Sequence, residues 1–441
     1  MKISRRRPGS YRLLAKVLLT LLILGLFLSF GVLIVSGESQ VLVPITDPLS
    51  ANIPSATIFV PVVLTNGWMR GPYVVLGWND LGMHCYNHDF QDLAVLPPYN
   101  TLWAQVIRRG DPPQIVTDGV IVQYSFPDNK TSSNKTNFWK YAPQLFGVNL
   151  ADNVGLKGKG MAGVMDPEAD YFVAEGIPLT EFSDSAPSQP APYQQAVITV
   201  KDAASDTVLA SLTVVAPVST EMHCDYCHAS GKDPGGNQAR VELNILDTHD
   251  DEEDTNLINQ RPVLCANCHA SNALGMSGNP SLPSLSKAMH DKHKDEVSNT
   301  LEGCYSCHPG PTTKCLRDVM SQAVPSTIDP NRKMDCIDCH GTMEQVSKNP
   351  NPWLNEPRCD TCHTPTATHQ YNQDQTLYRF SKGHGGVYCA ACHDSPHAIA
   401  PSREGADAIK FNQLQGKNGP LNTCTVCHLT EPVGKGPHEN P

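Results

Sequence analysis

Long apolar runs are scarce in the second half of this 441-residue chain. From Glu221 to the C-terminus, no apolar stretch is long enough or periodic enough to form an ordinary hydrophobic core. Unassigned cysteines are also few, since fourteen of the sixteen belong to one recurring motif and only Cys85 and Cys315 remain. A disulfide scaffold of the kind that stabilises small secreted proteins is therefore excluded.

Basic side chains are scarce outside the N-terminus. The formal net charge is -11, and residues 1–37 contain six basic and no acidic side chains. The remainder therefore has 27 basic and 44 acidic residues, a net charge of -17. Such a surface repels nucleic acid and favours cationic or basic partners, so no nucleic-acid binding is expected.

Residues 1–37 have the form of an export leader. Basic residues precede an uncharged run, Val17–Val35, which is longer than the core of an ordinary signal peptide and close to a membrane span. Val35-Ser36-Gly37 offers a cleavage site, so a cleaved peptide and a retained membrane anchor both stay open, whereas the absence of a following cysteine excludes a lipoprotein anchor. Either way, the rest of the chain is expected outside the cytoplasm: periplasmic, anchored facing outward, or extracellular.

One motif, Cys-x-x-Cys-His, occurs seven times after residue 220. It is the attachment signature of c-type haem, in which two thiols form thioether bonds and the adjacent imidazole is the proximal iron ligand. A zinc site or a redox disulfide needs no histidine directly after the second cysteine. We therefore predict seven covalently attached haem c groups. The motifs are Cys224/Cys227/His228, Cys265/Cys268/His269, Cys304/Cys307/His308, Cys336/Cys339/His340, Cys359/Cys362/His363, Cys389/Cys392/His393 and Cys424/Cys427/His428.

The occupant of the second axial position of each iron separates electron transfer from catalysis. The chain has 17 histidines, and the ten outside the motifs suffice for two histidine ligands on every iron. Seven of these are the expected distal ligands: His249, His290, His293, His369, His384, His397 and His438. Three rank behind them as further distal candidates: His223, His84 and His88.

Two local patterns bear on these ligands. His290 and His293 are three residues apart, which places them on one helical face from which they could serve two neighbouring haems. His249 lies in the acidic run Asp247–Asp254, for which a solvated loop is the alternative interpretation.

The segment between the leader and the first motif has a different composition. Short β-rich runs separated by Gly, Pro, Asn and Asp predict an antiparallel sandwich or barrel. The predicted strands are Ala56–Leu64, Tyr73–Trp78, Leu102–Ile107, Gln114–Phe126, Ala196–Lys201 and Thr207–Ala216.

We therefore predict a mixed fold: leader 1–37, an all-β sandwich-like domain 38–220, and a heptahaem cytochrome domain 221–441 with short helices and loops. Cys224 to His428 covers only 205 residues, so the haems themselves are expected to supply the core of the second domain.

The segment Trp78–Cys85, followed by His88, concentrates metal ligands in the β region. His84 or His88 could be a distal ligand to a haem packed against the sandwich. A separate copper or zinc site through His84, Cys85 and His88 is a second interpretation. The third is structural, with Cys85 pairing with Cys315 in an oxidising compartment.

Three runs resemble a family of exported multihaem cytochromes from anaerobic, metal-respiring bacteria. They are Pro262–His269 with the following Ser271–Gly275, Cys304–Cys315, and Gly383–His397. The resemblance covers the whole haem domain and extends to Trp78–Cys85. It implies low-spin haems arranged in a chain that passes electrons to or from a partner.

The leading hypothesis is a non-enzymatic electron carrier, because all seven motifs end in histidine and further histidines are plentiful. Its partners would be redox proteins or an extracellular acceptor, with a membrane contact through the leader if that is retained. One alternative is a multihaem reductase of a nitrogen or sulfur oxyanion, which needs one iron with a displaceable ligand. The other is a subunit of a conducting filament, in which His438 or His84 would cross to the next copy of the chain.

Overall fold

The computed structural model describes residues 71–228, 238–349, 356–364, 366, 371, 377–434 and 436–439. The leader, the predicted strand Ala56–Leu64 and the expected ligand His369 lie outside these residues. Within the described ranges, no helix combines the length and apolar character that crossing a membrane requires. One compact unit spans Gly67–Pro441.

Twelve strands are named in chain order in the described part of this unit. They are β1 (Tyr73–Asn79), β2 (His84–Cys85), β3 (Leu93–Ala94), β4 (Asn100–Arg108), β5 (Gln114–Val116), β6 (Val120–Ser125), β7 (Ala162–Val164), β8 (Asp166–Pro167), β9 (Phe172–Ile177), β10 (Tyr193–Asp202), β11 (Val208–Ser219) and β12 (Val263–Leu264).

Two five-stranded sheets contain most of these strands. The first has the order β1-β4-β9-β8, with β5 also paired to β4, and its pairs are antiparallel. The second has the order β2-β11-β10-β6-β7 and is antiparallel except for the short β2–β11 pair. Most predicted runs correspond to single strands. The run Gln114–Phe126 is divided into β5 and β6, because the chain turns at Gly119, whose φ is 73°.

The two sheets pack face to face through β1 and β11. Gly77 on β1 lies where they come closest. A Cβ atom there would be 2.7 Å from Ile198 Cδ1 and 2.9 Å from Val214 Cγ1, both on the second sheet. The absent side chain therefore lets the sheets approach, and the core between them is formed by alternating strand residues.

The helices are short, with one exception. They are α1 (Phe138–Phe146), α2 (Gln238–Glu253), α3 (Leu285–His293), α4 (Leu301–Cys304), α5 (Met320–Ala323), α6 (Cys336–His340), α7 (Met343–Lys348), α8 (Cys359–Cys362), α9 (Cys389–His393) and α10 (Ile409–Gln415). The acidic run Asp247–Asp254 is therefore not a loop, since α2 continues to Glu253. Its carboxylates lie on a helix whose His249 side chain is half-buried.

An aromatic cluster joins the sixth motif to the first sheet. Tyr388, which directly precedes that motif, has its ring centroid 5.5 Å from Trp78 and 5.4 Å from Trp103. Tyr171 stacks on Trp103 at 4.3 Å. The Tyr388 amide donates to the side-chain oxygen of Gln105 on β4. Leu264, Ala266, Ala390 and Ala391 belong to the same hydrophobic core as the sandwich, so the two regions share one core.

A fully buried arginine makes a second junction. Arg317 Nε lies 2.7 Å from Asp407 Oδ2, and both side chains are almost inaccessible. Its Nη1 atom donates to the carbonyl oxygens of Gly82 at 2.8 Å and Cys315 at 3.1 Å. A buried guanidinium is tolerated only when its donors are satisfied. The loop after β1 is thereby fixed to the segment that follows the third motif.

We predict that Gly82→Ala destabilises the protein much more than Gly119→Ala. Both glycines have a positive φ, which costs an alanine roughly 1–2 kcal/mol. A Cβ at Gly82 would in addition lie 1.8 Å from the carbonyl oxygen of Pro396, whereas a Cβ at Gly119 meets no atom within 4 Å. Relief of that clash should cost about 1–3 kcal/mol more. Guanidinium unfolding followed by tryptophan fluorescence measures both, and equal losses would contradict the close approach.

Candidate haem-attachment sites

Each motif folds as one short helical turn. In the five motifs where the bond is resolved as a separate contact, the histidine amide donates to the carbonyl oxygen of the first cysteine at 2.8–3.0 Å. The other two motifs form α6 and α9. Positions i, i+3 and i+4 of such a turn share one face. The two thiols and the imidazole of each motif therefore point to the same side, as attachment to one macrocycle requires.

Six motif histidines face a histidine from outside the motifs. The ring centroids are 5.7–6.4 Å apart, and all six contacts between described histidine rings join a motif histidine to a non-motif one. The pairs are His228–His293, His269–His249, His308–His290, His340–His397, His428–His384 and His393–His438.

This spacing fits one metal ion between two imidazoles. A histidine nitrogen binds a transition metal at about 2 Å, so two rings on opposite sides of one ion have centroids roughly 6 Å apart. By contrast, His223 and Tyr226 stack in direct contact at 4.4 Å. In the His393–His438 pair the two Nε2 atoms face each other at 3.5 Å. The donor set of two thiols and two opposed imidazoles fits a covalently attached haem.

Backbone carbonyls orient several of these rings. The Nδ1 atoms of His269, His290 and His293 lie 2.7–2.9 Å from the carbonyl oxygens of Pro283, Ser286 and Met289, respectively. A carbonyl oxygen only accepts, so each Nδ1 carries the proton and Nε2 presents its lone pair. Fixing the outer nitrogen in this way is typical of metal-ligating histidines.

Burial favours the neutral, ligand-competent imidazole at three motifs. It lowers the pKa of His308 to about 4, with a further contribution from His290, and it lowers the pKa of His340 and His393 to about 4 as well. A neutral imidazole is the form that binds iron. These rings therefore need no deprotonation at neutral pH.

The fifth motif differs from the others. His363 lies beside Tyr371 at 5.2 Å between ring centroids, and no histidine within the described ranges faces it. The one expected distal ligand left without a partner in these pairs is His369, which lies outside the described residues. The assignment of that seventh pair stays a prediction.

The three lower-ranked candidates lie elsewhere. His84 Nε2 is 2.8 Å from Asp80 Oδ1, His88 is exposed, and His223 stacks on Tyr226 beside Glu221. The structure brings none of them into ring contact with a described motif histidine. The described residues also contain no group of three or more His, Cys, Asp or Glu arranged to hold a metal ion.

Cys85 and Cys315 are neighbours. Burial, and then the charge of Cys315, raises the pKa of Cys85, and burial raises the pKa of Cys315 to about 11. Arg317 Nη1 bonds to Cys315 and to Gly82, three residues before Cys85. The structure holds both as thiols. Their proximity is compatible with the structural interpretation of this segment.

Glu242 on α2 is a buried acid that the motif pattern did not indicate. Its side chain is 4% exposed, and within the described residues its Oε2 atom has no hydrogen-bond partner. Burial and the nearby Asp89 and Asp92 raise the pKa of Glu242 to about 8, although Asn87 donates to it. It lies near the first cysteines of the first and second motifs. Only its position seven residues before His249, on the same helical face, could have pointed to it.

No protein-family model matches the chain, and neither a curated protein nor a solved structure matches it.

We predict that Glu242→Gln stabilises the protein at alkaline pH. The pKa of Glu242 is raised in the folded state, so wild-type stability is fully present below about pH 4.5 and is lost as the pH rises through about 8. The glutamine variant avoids that loss, which is roughly 2–4 kcal/mol at pH 9. Unfolding free energies at pH 4.5, 7 and 9 test it. Glu253→Gln, at the exposed end of α2, is the matched control and should leave the pH profile unchanged.

Proposed function

We propose that the protein is an exported heptahaem c-type cytochrome that transfers electrons outside the cytoplasm. The observation that supports this most directly is the set of six opposed imidazole pairs, each formed by one motif histidine and one other histidine. When bound, haem c supplies an iron centre that accepts and releases single electrons. The leader and the acidic surface support export and a basic or cationic redox partner.

The residues of the chain would set the properties of each centre. Two histidines per iron leave no coordination position for a substrate, which favours electron transfer over catalysis. Burial of His308, His340 and His393 limits solvent at three of the irons. The buried Lys410–Asp394 ion pair, 2.8 Å long, places fixed charges directly after the sixth motif.

We predict seven covalently attached haems, all low-spin in the oxidised protein. The holoprotein would be purified from a host that matures c-type cytochromes, and haem would be counted by intact mass and by the pyridine haemochrome spectrum. Electron paramagnetic resonance then reports the spin states. Absence of attached haem would refute the cytochrome assignment. A persistent high-spin centre in intact protein would favour the reductase alternative, and electron microscopy would reveal filaments if the chain polymerises.

We predict that His290→Ala converts one haem to the high-spin state and leaves the haem count unchanged. His290 faces His308 at 6.1 Å, and its loss removes one axial ligand but no attachment thiol. His88→Ala is the matched control, because His88 is exposed and faces no motif histidine. Electron paramagnetic resonance and the optical charge-transfer band read the change. An unchanged low-spin spectrum in His290→Ala would contradict the pairing.

A further inference from the structure

We infer that the seven attachment sites form one unbranched row in which the first two motifs are exchanged relative to the sequence. Numbering the sites by motif, the order in space is 2, 1, 3, 4, 5, 6, 7. The inference rests on the proposed function, since it concerns the haems that these sites would hold. It makes site 2 and site 7 the two ends of the row.

Helix α3 fixes the neighbour of the first site. Its His293 faces His228 of the first motif at 6.3 Å, and its His290 faces His308 of the third motif at 6.1 Å. The two ligands are three residues apart, which is less than one helical turn. Sites 1 and 3 must therefore be adjacent, with no room for site 2 between them.

Helix α2 places the second site on the other side of the first. Asn244 Oδ1 lies 3.3 Å from Nδ1 of His228, and His249 on the same helix faces His269 of the second motif at 6.4 Å. Five residues of helix correspond to about 7–8 Å along its axis. Site 1 therefore lies between site 2 and site 3.

The third and fourth sites are in direct contact. The Cys304 and Cys336 thiols are hydrogen-bonded to each other, and α4 packs against α6. His308 and His340 are also close enough to interact electrostatically. The fourth site then meets the fifth through the neighbouring thiols of Cys339 and Cys362.

The last three sites continue the row in sequence order. Tyr371 lies between His363 of the fifth motif, at 5.2 Å, and His438, at 5.6 Å. His438 is the ring partner of His393 in the sixth motif. The Leu421 amide, just before the seventh motif, donates to the carbonyl oxygen of Cys392 at 2.9 Å.

The cysteines at successive junctions alternate along the row. First cysteines of two motifs are neighbours at one junction, and second cysteines are neighbours at the next. A site with one neighbour on each cysteine has no position for a third, which argues against a branch. The junctions are Cys265–Cys224, Cys227–Cys307, Cys304–Cys336, Cys339–Cys362, Cys359 and Cys389 on either side of Tyr378, and Cys392–Cys427.

Both ends of the row reach the surface. Cys268 of the second motif is exposed, and Leu429, directly after the seventh motif, is 59% exposed. Exchange of electrons with other proteins is therefore expected at site 2 and site 7. Site 1, although first in sequence, is internal.

Two ligand substitutions in the full holoprotein test the order. His293→Met and His249→Met each give one haem a His/Met ligand pair, which raises the potential of that haem above the others. At a potential where only that haem is reduced, it becomes diamagnetic and stops broadening the resonance signals of its ferric neighbours. We expect sharpening of two neighbouring signals in His293→Met and of one signal in His249→Met.

The opposite counts, one and two, would show that the row follows the sequence and would overturn the exchange. Equal counts in the two variants would indicate a branch and would overturn it as well. His223→Met is the matched control, because His223 faces no described motif histidine and its substitution should sharpen no signal.

A second measurement keeps the order testable if methionine does not bind the iron. A photoreducing ruthenium label is attached to Val433→Cys, a fully exposed position near site 7. In Cys224→Ala/Cys227→Ala/His228→Ala, one remaining haem should be lost from the fast reduction phase. In Cys265→Ala/Cys268→Ala/His269→Ala, every remaining haem should stay in it. The reverse result refutes the order, whereas a wild-type protein without attached haem refutes the proposed function instead.

Discussion

Six imidazole pairs, each about 6 Å across, constrain where most of the chain after Glu221 lies. A pair needs two chain segments held at a fixed separation, with the outer ring nitrogens fixed and the inner ones facing each other. Short helical turns are enough to carry one motif each, and α3 carries ligands for two sites. The helices are therefore short, because ligand placement and not helix packing determines their length.

The β-sandwich supplies the rigid wall against which this arrangement is held. Tyr388 enters the aromatic cluster of Trp78 and Trp103, and Arg317 connects the loop after β1 to the segment that follows the third motif. Lys410 reaches the carbonyl oxygen of Gly77 while it pairs with Asp394. These buried polar contacts have defined partners, so they specify one relative placement in a way that apolar packing alone would not.

Much of the sandwich could be predicted because strand residues alternate and are rich in β-branched side chains. β1, β4, β10 and β11 lie where those runs do. The division at Gly119 was missed, because a glycine within a β-rich run can mark a turn or a strand residue equally well. The pairing of β12 with β3 was also out of reach, since two-residue strands carry no periodic pattern.

The sequence by itself determined the content of each attachment site, because two thiols and an imidazole at i, i+3 and i+4 share one face of any helical turn. It also supplied enough histidines for two on every iron. Only the tertiary structure decided which histidines pair and which sites are neighbours. All imidazoles are chemically equivalent as ligands, and partners such as His393 and His438 are 45 residues apart. Their meeting depends on how whole segments pack, which local spacing does not encode.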